Sequence, residues 1–210
     1  MPVESLPIAV LISGVGSNLQ SLIDNGTGST RIVAVLSDRP RAAGLLKAEA
    51  AGIPTAVVDW REFRDRDRFT EVMCEAVDRF GARAIVLAGF MRVLGSLAIK
   101  TFPDAIINVH PSLLPSFPGA NAVEQALAHG VTHTGVTVHF VDEEVDHGPI
   151  IAQQPVPILD DDDVDSLHAR IQVVEHRLLP EVVDAFGRGA ISVAGRRVQW
   201  NSAVLSEGLR

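Results

Sequence analysis

The sequence has one cysteine, no apolar run long enough for a membrane span, and fewer basic than acidic residues. A single cysteine, Cys74, excludes an internal disulfide and predicts a cytoplasmic protein, because disulfides are rare in reducing compartments. No apolar run approaches the roughly 20 residues that cross a bilayer, so no membrane partner is predicted. The first residues, Met1 to Ser5, lack the basic and apolar segments of a secretory signal.

The charge of the chain excludes a further class of partner. The 26 acidic residues outnumber the 18 basic ones, and the formal net charge is −8. Because phosphate backbones select basic surfaces, nucleic acid is not predicted as the main partner. Any anionic ligand must therefore be held by local backbone donors and a few arginines, since the overall field repels it.

The first half of the chain has the pattern of an α/β domain. Hydrophobic residues make up 47% of the 210 residues, and no linker divides them, so a single domain over 1–210 is predicted. Short apolar runs alternate with helical patterns, which indicates a doubly wound, Rossmann-like and mostly parallel sheet. The runs that we interpret as buried strands lie at 7–12, 31–37, 55–58, 84–88 and 105–108.

The second half is predicted to add antiparallel strands to this sheet. Strands are predicted at 134–141 and 149–156, and a hairpin around Gly195 at 191–200. A helix follows the acidic run 160–163, whose carboxylates suit N-caps better than a metal site. Pro180 is predicted to interrupt or kink that helix. Residues 5–110 and 111–210 are thus two halves of one domain.

A glycine-rich turn, Ser13 to Asn18, joins the first strand to a helix. Gly14 and Gly16 let the backbone approach a ligand closely, and the N-terminus of the helix offers free N–H groups. A phosphate or other anion site is therefore predicted. The turn lacks the third glycine of a dinucleotide fingerprint and the Lys-Ser/Thr of a P-loop. The alternative is an ordinary turn whose helix is capped by Ser17.

The stretch 106–115 carries the strongest chemical signal in the sequence. A β-branched strand ends with Asn108 and His110, which share a face because alternate strand residues point the same way. Pro111 and Pro115 then stop regular sheet pairing. An amide and an imidazolium can both donate to a developing oxyanion, and a nearby carboxylate favours the charged imidazole. The alternative is a polar strand end with one hydrogen-bonded histidine.

Other kinds of site have weaker support. The seven histidines and one cysteine form neither a tight cluster nor a His-Glu-x-x-His motif, so no metal is predicted. A Ser-His-Asp hydrolase stays open, with Ser112 near His110, but a Gly-x-Ser-x-Gly elbow is missing. A non-catalytic protein that binds or senses an anion on the same scaffold stays open as well.

Several motifs together resemble one group of enzymes. Asn108-Val-His-Pro-Ser-Leu-Leu-Pro115, followed by Asp146-x-Gly148, is similar to the signature of enzymes that transfer formyl from 10-formyltetrahydrofolate. Three further motifs resemble the glycinamide ribonucleotide formyltransferases of purine synthesis: Ser13-Gly-x-Gly-Ser-Asn-Leu19, Ala88-Gly-Phe-Met-Arg92 and Gln172-x-x-Glu175-His176. The resemblance extends from about residue 7 to residue 187.

The resemblance implies a role for each matching residue. The catalytic residues would be Asn108, His110 and Asp146. The ribonucleotide would be bound by Gly16, Ser17, Asn18, Gln172 and Glu175. The folate pocket would be lined by Met91, Arg92, Val93, Leu94, Val141, Asp142 and Glu143, with Arg66 near the glutamate tail. The peptide bond before Pro115 would be cis.

The implied activity is transfer of formyl from 10-formyltetrahydrofolate, a co-substrate, to the amine of 5-phosphoribosylglycinamide, without a metal. A hydrolase of the same folate is the alternative, although its relatives carry an additional domain before the catalytic one. Residue 7 already begins the first strand here, which leaves no room for that domain. A methionyl-tRNA formyltransferase would need a further C-terminal domain and a basic surface, and neither is expected.

The resemblance also sets expectations about partners. The substrates are small molecules, and the assembly is a monomer or a homodimer. Ser116 and the segment 121–123 depart from the pattern of relatives, which often carry lysine and a histidine-containing segment there. These departures leave the shape of the substrate entrance open, and the C-terminal hairpin has no role in the resemblance.

Overall fold

One seven-stranded sheet runs through the molecule, and its first five strands are parallel. The computed structural model describes residues 5–26 and 28–201. In spatial order the sheet is β3-β2-β1-β4-β5-β6-β7, with β6 and β7 antiparallel to their neighbours. A separate two-stranded hairpin follows. The strands are β1 Leu6–Ile12, β2 Thr30–Ser37, β3 Thr55–Val57, β4 Ala84–Leu87, β5 Ile106–His110, β6 His133–Phe140, β7 Ile150–Pro157, β8 Ile191–Ala194 and β9 Arg197–Trp200.

Helices cover both faces of the sheet. They are α1 Ser17–Asp24, α2 Gly44–Ala50, α3 Arg66–Arg79, α4 Ser96–Thr101, α5 Ala122–His129 and α6 Val164–Gly187, with a short 3₁₀ helix at Trp60–Glu62. The side-chain period of two divides β1 between two cores. Ile8, Val10 and Ile12 pack with α1, α2, α5 and α6. Ala9 and Leu11 face α3 and α4.

The loops that follow β1, β4 and β5 all begin at the carboxyl edge of the parallel strands. The strand order reverses between β1 and β4, which is where open α/β sheets bind ligands. The Ser13 N–H donates to the Gly89 carbonyl at 3.1 Å. The Met91 N–H donates to the Ser13 hydroxyl at 2.8 Å. These bonds tie the turn after β1 to the loop after β4, directly beside the end of β5.

The predicted α/β fold with a mostly parallel sheet and antiparallel C-terminal strands is confirmed. The hairpin around Gly195 is confirmed too, while the division into two halves at residue 110 stays a prediction. Cys74 is a buried core thiol, and burial raises its pKa to about 11. The acidic run ends in an N-cap, because the Asp163 carboxylate accepts from the Ser166 N–H in a capping box.

The predicted interruption at Pro180 is wrong, and the kink given as its alternative stays a prediction. The α6 helix continues for seven residues beyond it, to Gly187. Pro180 and its neighbours Leu179, Val182 and Val183 are buried. Packing of this apolar face against the sheet therefore offsets the backbone hydrogen bond that proline cannot make.

The prediction that the chain has no secretory signal concerns Met1 to Ser5. Of these residues, Met1 to Glu4 lie outside the described part of the chain. Within 5–26 and 28–201, no helix combines the length and apolar character that a bilayer crossing requires.

Candidate active site

The carboxyl end of β5 carries both Asn108 and His110. This strand pairs with β6 so that Asn108 lies opposite His139 and His110 lies opposite Thr137. Opposite residues of an antiparallel pair share a face, so His139 belongs to the same polar cluster. Its Nε2 lies 3.2 Å from the Asn108 amide nitrogen. Its Nδ1 lies 2.8 Å from the Phe140 carbonyl oxygen, to which only an N–H can bond.

Asp146 joins this cluster from the loop after β6. Its Oδ2 lies 3.2 Å from His110 Nδ1 and accepts from the Gly119 N–H at 2.7 Å. Its Oδ1 accepts from the Asn108 amide at 3.4 Å and lies 3.6 Å from His139 Nε2. The structure thus brings the three residues of the predicted catalytic set into one contiguous cluster, with the carboxylate at its centre.

The loop that carries Asp146 has a tightly constrained backbone. The Phe140 N–H donates to the Pro149 carbonyl at 2.9 Å and closes the loop. A Cβ on Gly148 would lie 1.9 Å from the Phe140 carbonyl oxygen, so only glycine fits there. Asp146 has a φ of 52°, a left-handed conformation that aspartate and asparagine adopt more readily than most residues. These constraints explain the spacing Asp-x-Gly.

Both ring nitrogens of His110 face hydrogen-bond acceptors. Nδ1 faces the Asp146 carboxylate, and Nε2 lies 2.8 Å from the Phe117 carbonyl oxygen. The imidazolium, with two N–H donors, satisfies both contacts, whereas the neutral ring satisfies only one. The ring is also buried. This geometry suits a protonated His110 that exchanges one of its contacts for a substrate oxygen.

The pKa of Asp146 lies below its ordinary value. Burial alone raises it, but the interaction with His139, the charge of His110 and the hydrogen bond from Gly119 together outweigh burial. The carboxylate therefore stays ionised throughout the neutral range. A permanent negative charge beside His110 is what the predicted arrangement requires.

The proline-rich turn after β5 is held against the sheet by Thr137. Its hydroxyl donates to the Ser112 carbonyl at 2.7 Å and accepts from the Leu114 N–H at 3.1 Å. The Gln153 amide donates to the Leu114 carbonyl at 2.8 Å. The Leu114–Pro115 peptide bond is cis, as the resemblance implies.

Ser112 is not placed as a nucleophile. Its side chain is buried, and its hydroxyl donates to the Ser116 carbonyl at 2.6 Å instead of to His110. A hydrolase built on Ser112, His110 and Asp146 therefore has no support in the geometry. Ser116 itself is exposed, and Val123, in the departing segment 121–123, packs into the core.

The glycine-rich turn after β1 presents an uncapped helix N-terminus. Gly16 is the N-cap of α1 and no side chain caps it, so the alternative of a helix capped by Ser17 is wrong. Gly16 has a φ of 72°, and a Cβ there would lie 2.8 Å from Gly44 Cα. The Lys47 ammonium donates to the Gly16 carbonyl at 3.3 Å. Free N–H groups and a cation thus meet where a phosphate is predicted.

Asn18 and Glu175 meet across the same site. The Asn18 amide donates to Glu175 Oε2 at 3.0 Å, while Asn18 Oδ1 is buried without a partner. Burial raises the pKa of Glu175, although the bond from Asn18 and the charges of His168 and His110 oppose the shift. Gln172 lies one turn earlier on α6. The predicted ribonucleotide residues are therefore neighbours in the structure.

Replacing Glu175 with glutamine is expected to stabilise the protein, increasingly as the pH rises. A carboxyl whose pKa is raised on folding contributes stability below its unfolded pKa, and that contribution is lost as the pH passes the raised value. Glutamine does not titrate and keeps a similar shape. Melting temperatures between pH 4.5 and 8 measure the effect, at roughly 2–4 °C per kcal/mol for a chain of this size.

The control for this prediction is Glu49→Gln on the exposed surface of α2. Glu49→Gln also removes one negative charge, but that charge is exposed to solvent and not buried. A pH-independent difference between Glu175→Gln and wild type would show that the buried carboxylate does not have a raised pKa.

All predicted folate residues except Arg66 lie in the loops that follow β4 and β6. Met91 and Val93 are 62% and 46% exposed, whereas Leu94 is buried. The Arg92 guanidinium donates to Asp38 at 2.8 Å. Of the other four predicted residues, Arg66 begins α3, and Val141, Asp142 and Glu143 lie in the loop that leads to Asp146. Their roles stay predictions.

The sequence reasoning missed two residues of this site. His139 gives no catalytic signal in the sequence, because its position opposite Asn108 depends on the register of β5 and β6. Lys47 gave no signal at all, since it lies on α2, far from the glycine-rich turn in the sequence. Among the described residues, no group of three or more His, Cys, Asp or Glu side chains could hold a metal ion.

Comparison with known proteins places this geometry in a family. The family described as formyl transferase matches residues 6–183, which include the whole cluster. The chain belongs to the formyl transferase family. It is 44% identical over 191 residues to the phosphoribosylglycinamide formyltransferase of Mycobacterium tuberculosis, covering 90% of this chain and 88% of that protein.

Other members of the formyl transferase family are longer. The chain is 44% identical over 197 residues to the bovine trifunctional purine biosynthetic protein adenosine-3, which covers 92% of this chain. It spans only about a fifth of the length of that protein, since the match covers 20% of it.

Solved structures of similar proteins share this fold. Glycinamide ribonucleotide transformylase 1 from Symbiobacterium toebii superposes with a TM-score of 0.91 at 42% identity, covering 94% of both chains. A formyltetrahydrofolate deformylase from Pseudomonas syringae has a TM-score of 0.87 at 25% identity, with 94% of this chain and 66% of that chain covered.

Proposed function

We propose that this chain transfers the formyl group of 10-formyltetrahydrofolate to the amine of 5-phosphoribosylglycinamide, a step of de novo purine biosynthesis. One observation carries the proposal. The Asp146 carboxylate contacts both Asn108 and His110 at the end of β5, which joins two oxyanion donors to a fixed negative charge. Relatives named for this activity are 39–44% identical and match about nine-tenths of the chain.

The reaction that suits this cluster is direct attack by the amine on the formyl carbon. Attack forms a C–N bond and places a negative charge on the formyl oxygen. The Asn108 amide and protonated His110 donate hydrogen bonds to that oxygen. The attacking nitrogen then loses a proton and the folate N10 gains one. The C–N10 bond breaks, which yields the N-formyl product and tetrahydrofolate.

Asp146 has two tasks in this proposal. Its charge favours the imidazolium of His110 and orients the ring. It also accepts the proton of the attacking amine, directly or through water, and returns it to the leaving nitrogen. No side-chain nucleophile takes part, because the amine itself is the acceptor.

The ribonucleotide binds, in this proposal, at the turn after β1. Its phosphate meets the N–H groups of Gly16, Ser17 and Asn18 at the N-terminus of α1, with Lys47 as a counter-charge. Glu175 accepts from the ribose hydroxyls. The orphaned Asn18 Oδ1 is a further acceptor at this site.

The folate co-substrate binds beside the cluster. The loop 91–94 and the loop 141–146 line its pocket, and Arg66 pairs with the carboxylate of its glutamate tail. No metal takes part in this reaction scheme. We further propose that the protein acts in the cytoplasm on small molecules, as a monomer or a homodimer.

The alternative is hydrolysis of the same folate, which the distant likeness to a deformylase favours. One assay separates the two. The protein is mixed with 10-formyltetrahydrofolate, with and without the ribonucleotide amine, and the folate absorbance is followed. Loss of formyl folate only with the amine supports the transferase. Loss without the amine supports the hydrolase, and no loss refutes both.

A further inference from the structure

A cavity of about 400 Å³ opens at the carboxyl end of β2, apart from the catalytic cluster. Four of its lining side chains are arginines, and the indole of Trp60 forms part of its wall. The arginines are Arg39, Arg41, Arg61 and Arg92. None of these residues belongs to the Asn108, His110 and Asp146 cluster. A concentration of positive charge stands out in a chain whose net charge is −8.

Only part of this positive charge is neutralised within the cavity. The two acidic lining residues, Asp38 and Asp59, bind Arg92 and Arg61 at 2.8 and 2.6 Å. Arg39 lies 3.9 Å from the same Asp38 carboxylate, which already serves Arg92. Among the described residues, Arg41 has no acidic side chain within ion-pair distance. The cavity therefore carries an excess of about two positive charges.

The Arg92 guanidinium is held in a fixed position at the cavity wall. It lies 5.0 Å from the centre of the Trp60 ring and bonds to Asp38, whose side chain is fully buried. Stacking and a buried counter-ion reduce the freedom that this side chain loses when it binds a ligand. A pre-positioned arginine beside uncompensated ones suits an anion with more than one negative charge.

We propose that this arginine cavity binds closely spaced carboxylates or phosphates. One source is the folate itself, because Arg92 belongs to the loop that the proposed function assigns to the folate pocket. Each glutamate added to the folate tail brings one more carboxylate to this rim. The other source is a free phosphorylated compound that regulates the enzyme. The first source rests on the proposed function, and the second does not.

The test compares two double variants with the same change of charge. Arg39→Ala/Arg41→Ala empties the cavity of its uncompensated arginines. Arg79→Ala/Arg83→Ala is the control, because Arg79 ends α3 and Arg83 directly precedes β4, at the opposite edge of the sheet. The KM is measured for 10-formyltetrahydrofolate with one and with three γ-linked glutamates. Binding of inorganic tripolyphosphate is measured by calorimetry at low salt.

The cavity variant is expected to raise the KM for the triglutamyl folate by roughly three- to tenfold, since exposed arginines contribute modestly to binding. Its kcat and KM with the monoglutamyl folate are expected to stay at wild-type values. Activity of the wild-type protein with the monoglutamyl folate tests the proposed function independently of the cavity. Weaker tripolyphosphate binding without a change in folate preference assigns the cavity to a free anion. Equal losses in the control variant, or no tripolyphosphate binding to wild type, overturn the proposal.

A different contact joins the C-terminal hairpin to the loop that carries Asp146. Arg196, in the turn between β8 and β9, donates to the His147 carbonyl at 2.7 Å. Its other terminal nitrogen lies 3.0 Å from the His147 ring. The same ring bonds to Asp142 at 2.8 Å. A guanidinium from a distant part of the chain thus holds the residue directly after Asp146.

The hairpin that carries Arg196 is itself attached to the sheet. The Trp200 indole N–H donates to the Ile151 carbonyl of β7 at 3.3 Å. We infer that Arg196 is a positioning residue, which restricts the loop 142–148 so that the Asp146 carboxylate stays against His110. This inference rests on the proposed function, and it gives the hairpin a role in the site.

The test uses Arg196→Ala, with Arg197→Ala as the control on the same hairpin. Arg196→Ala is expected to lower kcat roughly three- to tenfold with little change in the ribonucleotide KM, because positioning affects the transition state more than binding. Hydrogen exchange of amides 142–148 should become faster. Arg196→Lys, which keeps the positive charge and one donor nitrogen, should recover part of the rate. Unchanged kcat and exchange in Arg196→Ala, or the same losses in Arg197→Ala, overturn the inference.

Discussion

Alanine in place of Asn108 or His110 is expected to lower kcat for formyl transfer by about 10²–10³, the usual cost of losing one oxyanion donor. Both side chains lie at the end of β5 and contact the same Asp146 carboxylate. In the proposed reaction, both side chains donate hydrogen bonds to the formyl oxygen once negative charge has developed on that oxygen. The loss therefore falls on kcat, and folate binding changes little.

The measurement is steady-state kinetics of both variants with saturating folate and ribonucleotide. His133→Ala, at the exposed start of β6, is the matched control. Thermal unfolding and equilibrium binding of tetrahydrofolate establish that each variant is folded and binds. Turnover within a few-fold of wild type in either variant would refute the assignment of an oxyanion site.

Asparagine in place of Asp146 is expected to lower kcat by about 10²-fold or more, the range for a group that moves protons in the transition state. It also removes the charge that favours protonated His110. The pH–rate profile should therefore change as well. The pKa of the wild-type carboxylate is lowered, so the carboxylate stays ionised at neutral pH.

Asp146→Asn should also change the stability of the protein, in a direction that follows from the lowered pKa of Asp146. A carboxylate with a lowered pKa on folding stabilises the protein above its unfolded pKa, and this is lost as the pH falls through the lowered value. Asp146→Asn should therefore be less stable than wild type at neutral pH and approach it in acid. Asp78→Asn, exposed on α3, is the control. An unchanged pH–rate profile would disprove the coupling of Asp146 to His110.

The sequence predicted the parts of this protein that depend on local patterns. Buried parallel strands are short apolar runs, so the strands leading to Gly14, Gly89 and Asn108 were found within a residue or two. Their carboxyl ends share an edge as a matter of topology. The pairing of Asn108 with His110 follows from the period of two within a single strand.

What the sequence did not predict depends on contacts between distant segments. The role of His139 follows from the β5–β6 register, which no local pattern specifies. Pro180 stays helical because the tertiary packing of α6 outweighs its backbone cost. Lys47 and Arg196 reach their partners from helices or hairpins remote in sequence. In each case tertiary structure decided what local propensity left open.

The central claim is that one oxyanion site, built from two donors and one carboxylate, performs the transfer. A double-mutant cycle on single-turnover rates tests it most directly, with wild type, Asn108→Ala, His110→Ala and the double variant, all at saturating substrates. Donors that share one oxygen act as a unit, so the double variant should be little slower than the slower single variant. Single losses below tenfold, or losses that multiply fully in the double variant, would contradict a shared site.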